Sequence, residues 1–230
     1  MIVTIDGPAG VGKTTVGIRL AARLDAIFMD TGLFYRGLTA LALAKGVSTQ
    51  DGEGLSRLVP ELESLLDPPN QRQRNLGADD HPALWPAPDF VAGTQSPPVE
   101  AHVSTVAGQE VVRAALLPLQ RRAAEAERVV AAGRDVGSVV FPQAAIKVYL
   151  DASLAERARR RASQAGQASE EATVGAALSQ RDESDSGRAV APLTVPPGAV
   201  VVSTDGQSIE EVVSRIEQMV NEARAHPRNA

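Results

Sequence analysis

Residues 2–15 have the sequence IVTIDGPAGVGKTT, and this stretch decides the fold. Its first four residues form a β-branched apolar run that predicts a buried strand, bounded by Asp6. Residues 7–14 then match G-x-x-x-x-G-K-[ST] at every fixed position. A glycine-rich turn could match this pattern by accident, without a strand before it and a helix after it. Here a predicted strand precedes the motif and a predicted helix follows it over 13–24. The stretch therefore predicts a phosphate-binding loop between a strand and a helix.

The chemistry of this loop depends on its residue types. Its glycines let the backbone turn so that several N–H groups point at phosphate oxygens, and the following helix adds its positive N-terminal end. Lys13 would neutralise the β- and γ-phosphates of ATP, and the Thr14 hydroxyl would bind Mg²⁺. The predicted donor-binding residues are Gly7, Pro8, Ala9, Gly10, Val11, Gly12, Lys13, Thr14 and Thr15. The motif thus predicts a nucleoside triphosphate site with Thr14 as a metal ligand.

The rest of the chain alternates short apolar runs with segments of helical periodicity. Strands are predicted at 2–5, 27–29, 128–132, 146–150 and 199–202, and helices at 13–24, 33–45, 54–66, 99–127, 153–164, 170–183 and 208–225. This order predicts an α/β protein with the P-loop NTPase fold, a mainly parallel sheet covered by helices on both faces, in one domain over 1–230. Asp6, Asp30, Arg134 and Asp151 each follow a predicted strand, so we expect them along the ligand-binding edge of the sheet.

Residues 67–98 interrupt this pattern. Seven of the fifteen prolines fall there, mixed with Asn, Gln, Gly and Asp. Proline lacks the N–H that a helix interior or a central strand needs, so we expect an irregular inserted segment or a small subdomain.

Composition narrows the class of protein. The chain has 230 residues, 43% hydrophobic and 22% charged, with a net charge of −5 and no cysteine. Disulfides, thiol catalysis and thiolate metal sites are therefore excluded. The acidic balance argues against a protein that coats nucleic acid or an anionic membrane. No signal peptide is apparent, and the longest apolar stretch, at 38–44, is too short to cross a bilayer. We expect a cytoplasmic monomer with small-molecule substrates and no nucleic-acid or membrane partner.

A small phosphotransferase fits the phosphate loop better than other nucleotide-binding classes. A GTPase switch needs a guanine-binding Asn-Lys-x-Asp, which the sequence lacks, and a motor ATPase needs a longer chain. If the acceptor also carries a phosphate, several cations must bring two polyanions together. Six arginines lie near predicted loops or helix ends: Arg36, Arg113, Arg134, Arg157, Arg181 and Arg188.

Four motifs together resemble the bacterial cytidylate kinases, within the nucleoside monophosphate kinase family. They are GPAGVGKTT at 7–15, DTGLFYR at 30–36, GRDVGSVVFP at 133–142 and RDESDSGRAVAPL at 181–193. The first motif occurs in many families, whereas the other three are much more specific. Their order and spacing also match, and the resemblance runs from residue 2 to about residue 217.

The resemblance implies roles in an acceptor pocket for CMP or dCMP. Thr31, Tyr35 and Arg36 would line this pocket, with Arg36 on the acceptor phosphate. Ser104 and Arg113, nine residues apart in a predicted helix, would approach the cytosine ring and exclude purines.

The two later motifs would bind the phosphates, the base and the ribose. Arg134 would bind the acceptor phosphate, and Asp135 would accept a hydrogen bond from the cytosine amino group. Arg181 and Arg188 would contact phosphates, and Asp185 the ribose. Arg157 would contact ATP from a mobile lid at 153–190. The implied catalytic residues are Lys13, Arg134, Arg181 and Arg188.

The implied reaction is Mg²⁺-dependent transfer of the γ-phosphoryl group of ATP to CMP or dCMP. The alternatives are a kinase of UMP, dTMP or a small metabolite, and a nucleotide-binding regulatory protein that turns nothing over. Two departures from the family pattern bear on this. Gln95 occupies the position where an arginine is expected before Ser104, and Ser184 and Ser186 replace charged residues.

Individual residues also have simpler interpretations. Arg134 and Asp135 could pair with each other at a strand end, and Tyr35 could be a core residue. The arginine run at 157–161 is typical of a solvated helix face, and Asp185 could form a turn.

Overall fold

The computed structural model describes residues 1–66, 84–85, 94, 96–164, 170–188 and 190–225. The strands are β1 (Ile2–Asp6), β2 (Ile27–Asp30), β3 (Leu84–Trp85), β4 (Val129–Ala132), β5 (Ile146–Asp151) and β6 (Val200–Ser203). They form one sheet in the order β3-β2-β4-β1-β5-β6, and every neighbouring pair is parallel. The predicted α/β fold with a parallel sheet is confirmed.

Helices cover both faces of this sheet. They are α1 (Lys13–Leu24), α2 (Gly32–Lys45), α3 (Gly52–Ser56), α4 (Val59–Ser64), α5 (Pro97–Ala107), α6 (Glu110–Arg121), α7 (Leu154–Gln164), α8 (Glu171–Ser186) and α9 (Ile209–Ala225). Helices α1 and α9 bury Leu20 and Ile216 against one face, and α2 and α6 bury Phe34 and Leu116 against the other. No helix in the described ranges is both long and apolar enough to span a bilayer.

Two predicted helices are broken. The helix predicted over 54–66 becomes α3 and α4, because Pro60 in the first turn of α4 cannot continue a preceding helix. The helix predicted over 99–127 breaks at Gln109, whose backbone is extended and whose side chain donates to the Thr49 carbonyl at 2.7 Å. A short 3₁₀ turn, Arg122–Glu125, follows α6.

Helix ends follow the local sequence elsewhere. Gly46 ends α2 in the left-handed conformation with φ 67°, as predicted. Ser208 precedes α9, and its hydroxyl accepts from the Glu211 N–H while the Glu211 carboxylate accepts from the Ser208 N–H. This reciprocal pair is a capping box. Arg23 of α1 donates to Glu210 and Glu217 of α9, which fastens the last helix to the helix of the phosphate loop.

The structure describes only part of the predicted insertion at 67–98. Within it, β3 pairs in parallel with β2, with Leu84 opposite Phe28 and Trp85 opposite Met29. The prediction of irregular structure is wrong at these two positions, because they extend the sheet. Residues 97–98 begin α5, and Gln95 lies outside the described residues.

The strand order places the phosphate loop at the centre of the sheet. Strand β1 lies between β4 and β5, so that Ile5 is opposite both Ala132 and Val148. The loops after β1, β2 and β4 therefore emerge side by side at the carboxyl edge. Ligands of such sheets bind at this edge.

Candidate active site

A cleft of about 1060 Å³ runs along the carboxyl edge of the sheet. Most of the residues predicted from sequence line it: Ala9, Gly10, Val11, Gly12, Lys13, Thr14, Thr15, Thr31, Tyr35, Arg36, Ser104, Arg113, Arg134, Asp135, Arg181, Asp185 and Arg188. Gly7, Pro8 and Arg157 are the predicted residues that are not among its lining. The structure thus brings together motifs that begin at residues 7, 30, 133 and 181 of the sequence.

The phosphate loop is held in a tight conformation. Gly7 has φ +147°, and a Cβ added there would lie 2.2 Å from the Leu150 carbonyl oxygen, so no side chain fits. Lys13 Nζ donates to the Gly7 carbonyl at 2.8 Å and to the Pro8 carbonyl at 2.7 Å. Burial, and then the Arg134 guanidinium, lowers the pKa of Lys13 well below its ordinary value. An anion bound in the cleft would oppose both effects on the pKa of Lys13.

A carboxylate from β2 lies opposite the start of α1. The Thr14 hydroxyl donates to Asp30 Oδ2 at 3.2 Å, and Asp30 Oδ1 accepts from the Gly32 N–H at 2.9 Å. Two hard oxygens this close, both lining the cleft, fit Mg²⁺, which takes one or two protein oxygens and fills its shell with phosphates and water. No group of three or more His, Asp or Glu suited to a metal occurs in the described part of the chain.

The turn after β4 is held by a buried carboxylate. Asp6 is fully buried, and its two oxygens accept from the Val136 N–H at 2.6 Å and the Gly137 N–H at 2.8 Å. Gly133 donates to the Ile5 carbonyl at 3.0 Å. These bonds fix the backbone on both sides of Arg134. Burial raises the pKa of Asp6 to about 6.

This raised pKa predicts a specific pH dependence of stability. The folded protein holds the Asp6 proton up to about pH 6, whereas the unfolded chain releases it near 3.8. The contribution of Asp6 to stability is therefore complete below pH 3.8 and is lost as the pH rises through 6, a change of about 3 kcal/mol. Asp6→Asn has no such proton. We expect the unfolding free energy of the wild type to fall by about that amount relative to Asp6→Asn between pH 4 and 7.

Denaturant titrations of both proteins across this pH range measure the difference. Asp25→Asn is the control, because Asp25 is 91% exposed and its left-handed backbone, with φ 48°, accepts asparagine. The prediction for Asp6 would be contradicted if the unfolding free energies of the wild type and Asp6→Asn differed by the same amount at every pH.

Arg134 and Asp135 do not pair with each other in the structure. Arg134 Nε donates to Asp185 Oδ2 at 2.6 Å, and its Nη1 donates to the Gly7 carbonyl at 2.9 Å. The other oxygen of Asp185 accepts from Arg188, so one buried carboxylate joins two guanidinium groups. Asp185 lies in the last turn of α8, which extends beyond the predicted end at 183, and not in a turn.

Asp135 faces the other end of the cleft. Its carboxylate accepts from Arg113 Nη2, and Arg113 Nη1 donates to the Ala107 carbonyl at 2.9 Å. The Arg113 guanidinium also lies over the Tyr35 ring, 5.2 Å from its centroid. Tyr35 is both a core residue, 7% exposed, and part of the cleft wall, and burial raises its pKa to about 12. The three side chains form a rigid, partly apolar wall that could hold a planar ring.

The remaining predicted acceptor residues differ in their contacts. The Thr31 hydroxyl donates to the Ala132 carbonyl at 3.0 Å, which joins β2 to β4 below the cleft. Arg36 forms an ion pair with Glu100, whose Oε1 lies 2.8 Å from Arg36 Nη1. Ser104 lies on α5 and lines the cleft, as Arg113 of α6 does.

Arg157 is bound to the phosphate loop. Its Nη1 donates to the Ala9 carbonyl at 3.0 Å and to Asp182, while Asp182 Oδ1 accepts from the Ala9 N–H at 3.0 Å. The peptide groups on both sides of Ala9 are thus held by side chains of α7 and α8. Arg157 is 7% exposed, so it does not belong to a solvated helix face. Arg159 and Arg161 are exposed, as a solvated helix face predicts, and the arginines at 159–161 also line the cleft.

The cleft continues past the phosphate loop to the start of α9. Arg160 donates to the Thr204 hydroxyl at 2.8 Å and to its carbonyl at 2.6 Å, and Gln207 and Ser208 line the same end. Sequence reasoning missed Thr204, Gln207 and Glu100 as residues of the cleft, and nothing in the sequence singles them out. Asp30 was expected at this edge from its place after β2, but not as a partner of Thr14.

Cations crowd the middle of the cleft. Burial, and then Arg134, lowers the pKa of Arg181 below its ordinary value, and burial also lowers the pKa of Arg188. The Nε groups of Arg181 and Arg188 are buried without a hydrogen-bond partner among the described residues. This excess of buried positive charge and free donors suits a ligand with several phosphate oxygens.

Comparisons with known proteins identify the family. The model of the family described as cytidylate kinase matches residues 3–222. The cytidylate kinase of Geobacillus kaustophilus (strain HTA426) is 40% identical over 224 residues, and that of Shouchella clausii (strain KSM-K16) is 38% identical over 223 residues. In both cases 96% of each chain is covered.

A third relative is longer. The bifunctional pantoate ligase/cytidylate kinase of Synechococcus sp. (strain RCC307) is 40% identical over 225 residues, and the chain spans 43% of its length. The phosphate loop, the converging arginines and these similarities lead to one conclusion: the chain belongs to the cytidylate kinase family.

Proposed function

We propose that this protein is a cytidylate kinase, which transfers the γ-phosphoryl group of ATP to CMP or dCMP and releases ADP and CDP or dCDP. The observation that carries the proposal is the convergence in one cleft of the phosphate loop, four arginines from three segments of the chain and a buried carboxylate. The arginines are Arg36, Arg134, Arg181 and Arg188, and the carboxylate is Asp135. Family membership supports the same activity.

The arginines address the charge problem of this reaction. A nucleoside triphosphate and a nucleoside monophosphate repel each other, and catalysis of phosphoryl transfer is mostly positioning plus cationic stabilisation. Arg134 lies against the phosphate loop, so it would lie between the donor and acceptor phosphates. Arg181 and Arg188 reach the same region from the last turns of α8 and the residues after it. Arg36 would bind the acceptor phosphate from α2.

Asp135 would select the base. Its carboxylate can accept a hydrogen bond from the exocyclic amino group of cytosine, whereas it would repel the carbonyl oxygen of uracil at that position. Arg113 pairs with this carboxylate and fixes its direction. Ser104 and Tyr35 would limit the space on either side of the ring, which would exclude purines.

The reaction needs no protein nucleophile. An oxygen of the acceptor phosphate attacks the γ-phosphorus, the bond from this phosphorus to the β,γ-bridging oxygen breaks, and ADP leaves with that electron pair. Lys13 and the loop N–H groups would hold the β- and γ-phosphates, while Arg134 stabilises the charge on the transferred group. Thr14 and Asp30 would hold Mg²⁺, which when bound neutralises charge on the β- and γ-oxygens.

Water must be excluded so that ATP is not hydrolysed. Helices α7 and α8 would act as the lid over 153–190, with arginines at 159–161 facing the cleft. Arg157 would act from this lid by holding Ala9, and through the loop it would reach ATP indirectly. We further propose that the enzyme is cytoplasmic and monomeric. Light scattering of the purified protein would test the oligomeric state.

The test is ADP release with ATP and Mg²⁺ against CMP, dCMP, UMP, AMP, GMP and dTMP in parallel. Turnover confined to CMP and dCMP is the expected result. Turnover with UMP or dTMP alone would keep a nucleotide kinase and overturn the assignment of Asp135. ATP binding without turnover of any acceptor would instead favour a regulatory nucleotide-binding protein.

Asp135→Asn should collapse the selectivity for cytosine over uracil. Asparagine keeps the size of the side chain but can donate as well as accept, so UMP is no longer repelled. We expect the ratio of kcat/KM for CMP over UMP to fall by at least about 10²-fold. Asp182→Asn, a carboxylate outside the acceptor end, is the control and should leave the ratio unchanged. An unaltered ratio in Asp135→Asn would remove Asp135 from base selection.

A further inference from the structure

A carboxylate lies among the arginines of the acceptor end. Glu100, in the first turn of α5, lines the cleft. Its Oε1 lies 2.8 Å from Arg36 Nη1, and its Oε2 lies 3.9 Å from Arg181 Nη1. Each oxygen therefore faces a different guanidinium group, one from α2 and one from α8. Neither Glu100 nor this bridge has a part in the phosphate chemistry derived above.

The Glu100 carboxylate offers the two guanidinium groups charged oxygens, as a bound oxyanion would. A phosphate monoester would present two or more oxygens to the same pair of guanidinium groups. The Glu100 side chain is 40% exposed and Arg36 only 15%, so the carboxylate covers the arginine from the solvent side. Burial opposes the charge on Glu100, yet Arg36 holds the pKa of this carboxyl below its ordinary value. At neutral pH the bridge is therefore ionic.

The bridge also compensates charge that would otherwise be costly. Arg181 is repelled by both Arg134 and Arg36, and a buried cation without a partner is strongly disfavoured. A carboxylate on a helix that already packs against α2 balances the charge of Arg36 before a ligand binds, since the two groups lie 2.8 Å apart. The same contact must weaken when an acceptor phosphate arrives, because one guanidinium edge cannot serve two anions at full strength.

We propose that Glu100 is an internal competitor for the phosphate of the acceptor, displaced from Arg36 and Arg181 when a nucleoside monophosphate binds. This inference rests on the proposed function, since it takes these two arginines as the acceptor phosphate site. Glu100 then sets the affinity for the acceptor. It favours ligands whose phosphate carries two negative charges, because a weaker anion cannot replace the carboxylate.

The proposal predicts that removing the charge of Glu100 strengthens acceptor binding. Glu100→Gln keeps the size of the side chain and should lower the KM for CMP roughly three- to tenfold, with kcat within about twofold of the wild type. The Kd of CMP without ATP should fall in parallel. Cytidine, which has the base and ribose but no phosphate, should bind both proteins equally. Glu100→Ala should change CMP binding in the same direction.

Glu110→Gln is the matched control. Glu110 is also a glutamate in the first turn of a helix, but it is exposed on α6 and outside the lining of the cleft. It should leave every constant unchanged. A KM for CMP that is unchanged or raised in Glu100→Gln would overturn the proposal, because Glu100 would then be neutral or would help to position Arg36. An equal gain for cytidine would also overturn it.

Failure of the proposed function would look different. A wild type that binds CMP but transfers no phosphoryl group to it would overturn the proposed activity. The Kd values of the two proteins would still decide the role of Glu100, since tighter CMP binding by Glu100→Gln supports the competitor and equal binding excludes it. Glu110→Gln should unfold at the same denaturant concentration as the wild type, whereas Glu100→Gln, which leaves Arg36 without its counterion, should unfold at a lower one.

Discussion

Replacement of Arg134 by alanine is expected to lower kcat for phosphoryl transfer to CMP by roughly 10²- to 10³-fold. Arg134 donates to the Gly7 carbonyl and to Asp185, so its guanidinium is fixed between the phosphate loop and the end of α8. A cation fixed there can stabilise charge that develops on the transferred group without reorganising. Alanine removes this stabilisation and leaves the mutual repulsion of the donor and acceptor phosphates uncompensated.

Two further variants make this result interpretable. Arg134→Lys keeps the charge but loses the forked geometry, so kcat should remain well below that of the wild type and above that of the alanine variant. Arg128→Ala removes an arginine from the other end of the same strand, where it pairs with the exposed Asp25, and should leave kcat unchanged. Steady-state kinetics with saturating ATP and CMP decides the matter. A kcat of the alanine variant within about threefold of the wild type would refute the catalytic role.

Asp185→Ala is expected to lower the free energy of unfolding by about 3–5 kcal/mol. Asp185 is 2% exposed, and its two oxygens accept from Arg134 and Arg188. Without this carboxylate, two largely buried guanidinium groups would lose their shared counterion and repel each other. The loss should appear as a lower midpoint in denaturant unfolding followed by circular dichroism.

The matched control is Glu183→Ala, two residues earlier on the same helix. Glu183 is exposed, and its carboxylate accepts only from Ser179 among the described residues, at 3.2 Å. Its removal should change stability by less than about 0.5 kcal/mol. If the two variants are equally stable, Arg134 and Arg188 do not need the Asp185 carboxylate as a counterion. That result would contradict the bridging role of Asp185.

Much of the fold was predictable because its signals are local. The sequence signal for the phosphate loop lies in residues 7–14. The buried strands are short apolar runs, which are typical of a sheet covered on both faces. Gly46 and Ser208 fix helix ends through their own backbone and side-chain geometry. The breaks at Pro60 and Gln109 were harder to place. The break at Gln109 depends on a hydrogen bond to Thr49, which lies 60 residues away.

The site was predictable as a set of residues but not as a set of contacts. The motifs named the arginines and acidic residues, and most of them line one cleft. Because Arg134 and Asp135 are adjacent in sequence, a pair between them was one interpretation. In the structure a turn held by Asp6 separates them, so that Arg134 binds Asp185 and Asp135 binds Arg113. Partner choice depends on the tertiary positions of α6 and α8, which no local pattern encodes. Glu100 was missed for the same reason.

The contacts that hold Ala9 have a thermodynamic consequence. Arg157 of α7 and Asp182 of α8 bind the carbonyl and the N–H of this one residue in the phosphate loop. Any ligand that orders Ala9 must also favour one arrangement of the two helices. By reciprocity, an arrangement of the helices favoured by other means raises the affinity of the loop for that ligand by the same factor. Ligand binding by the phosphate loop and the arrangement of α7 and α8 therefore share one coupling free energy.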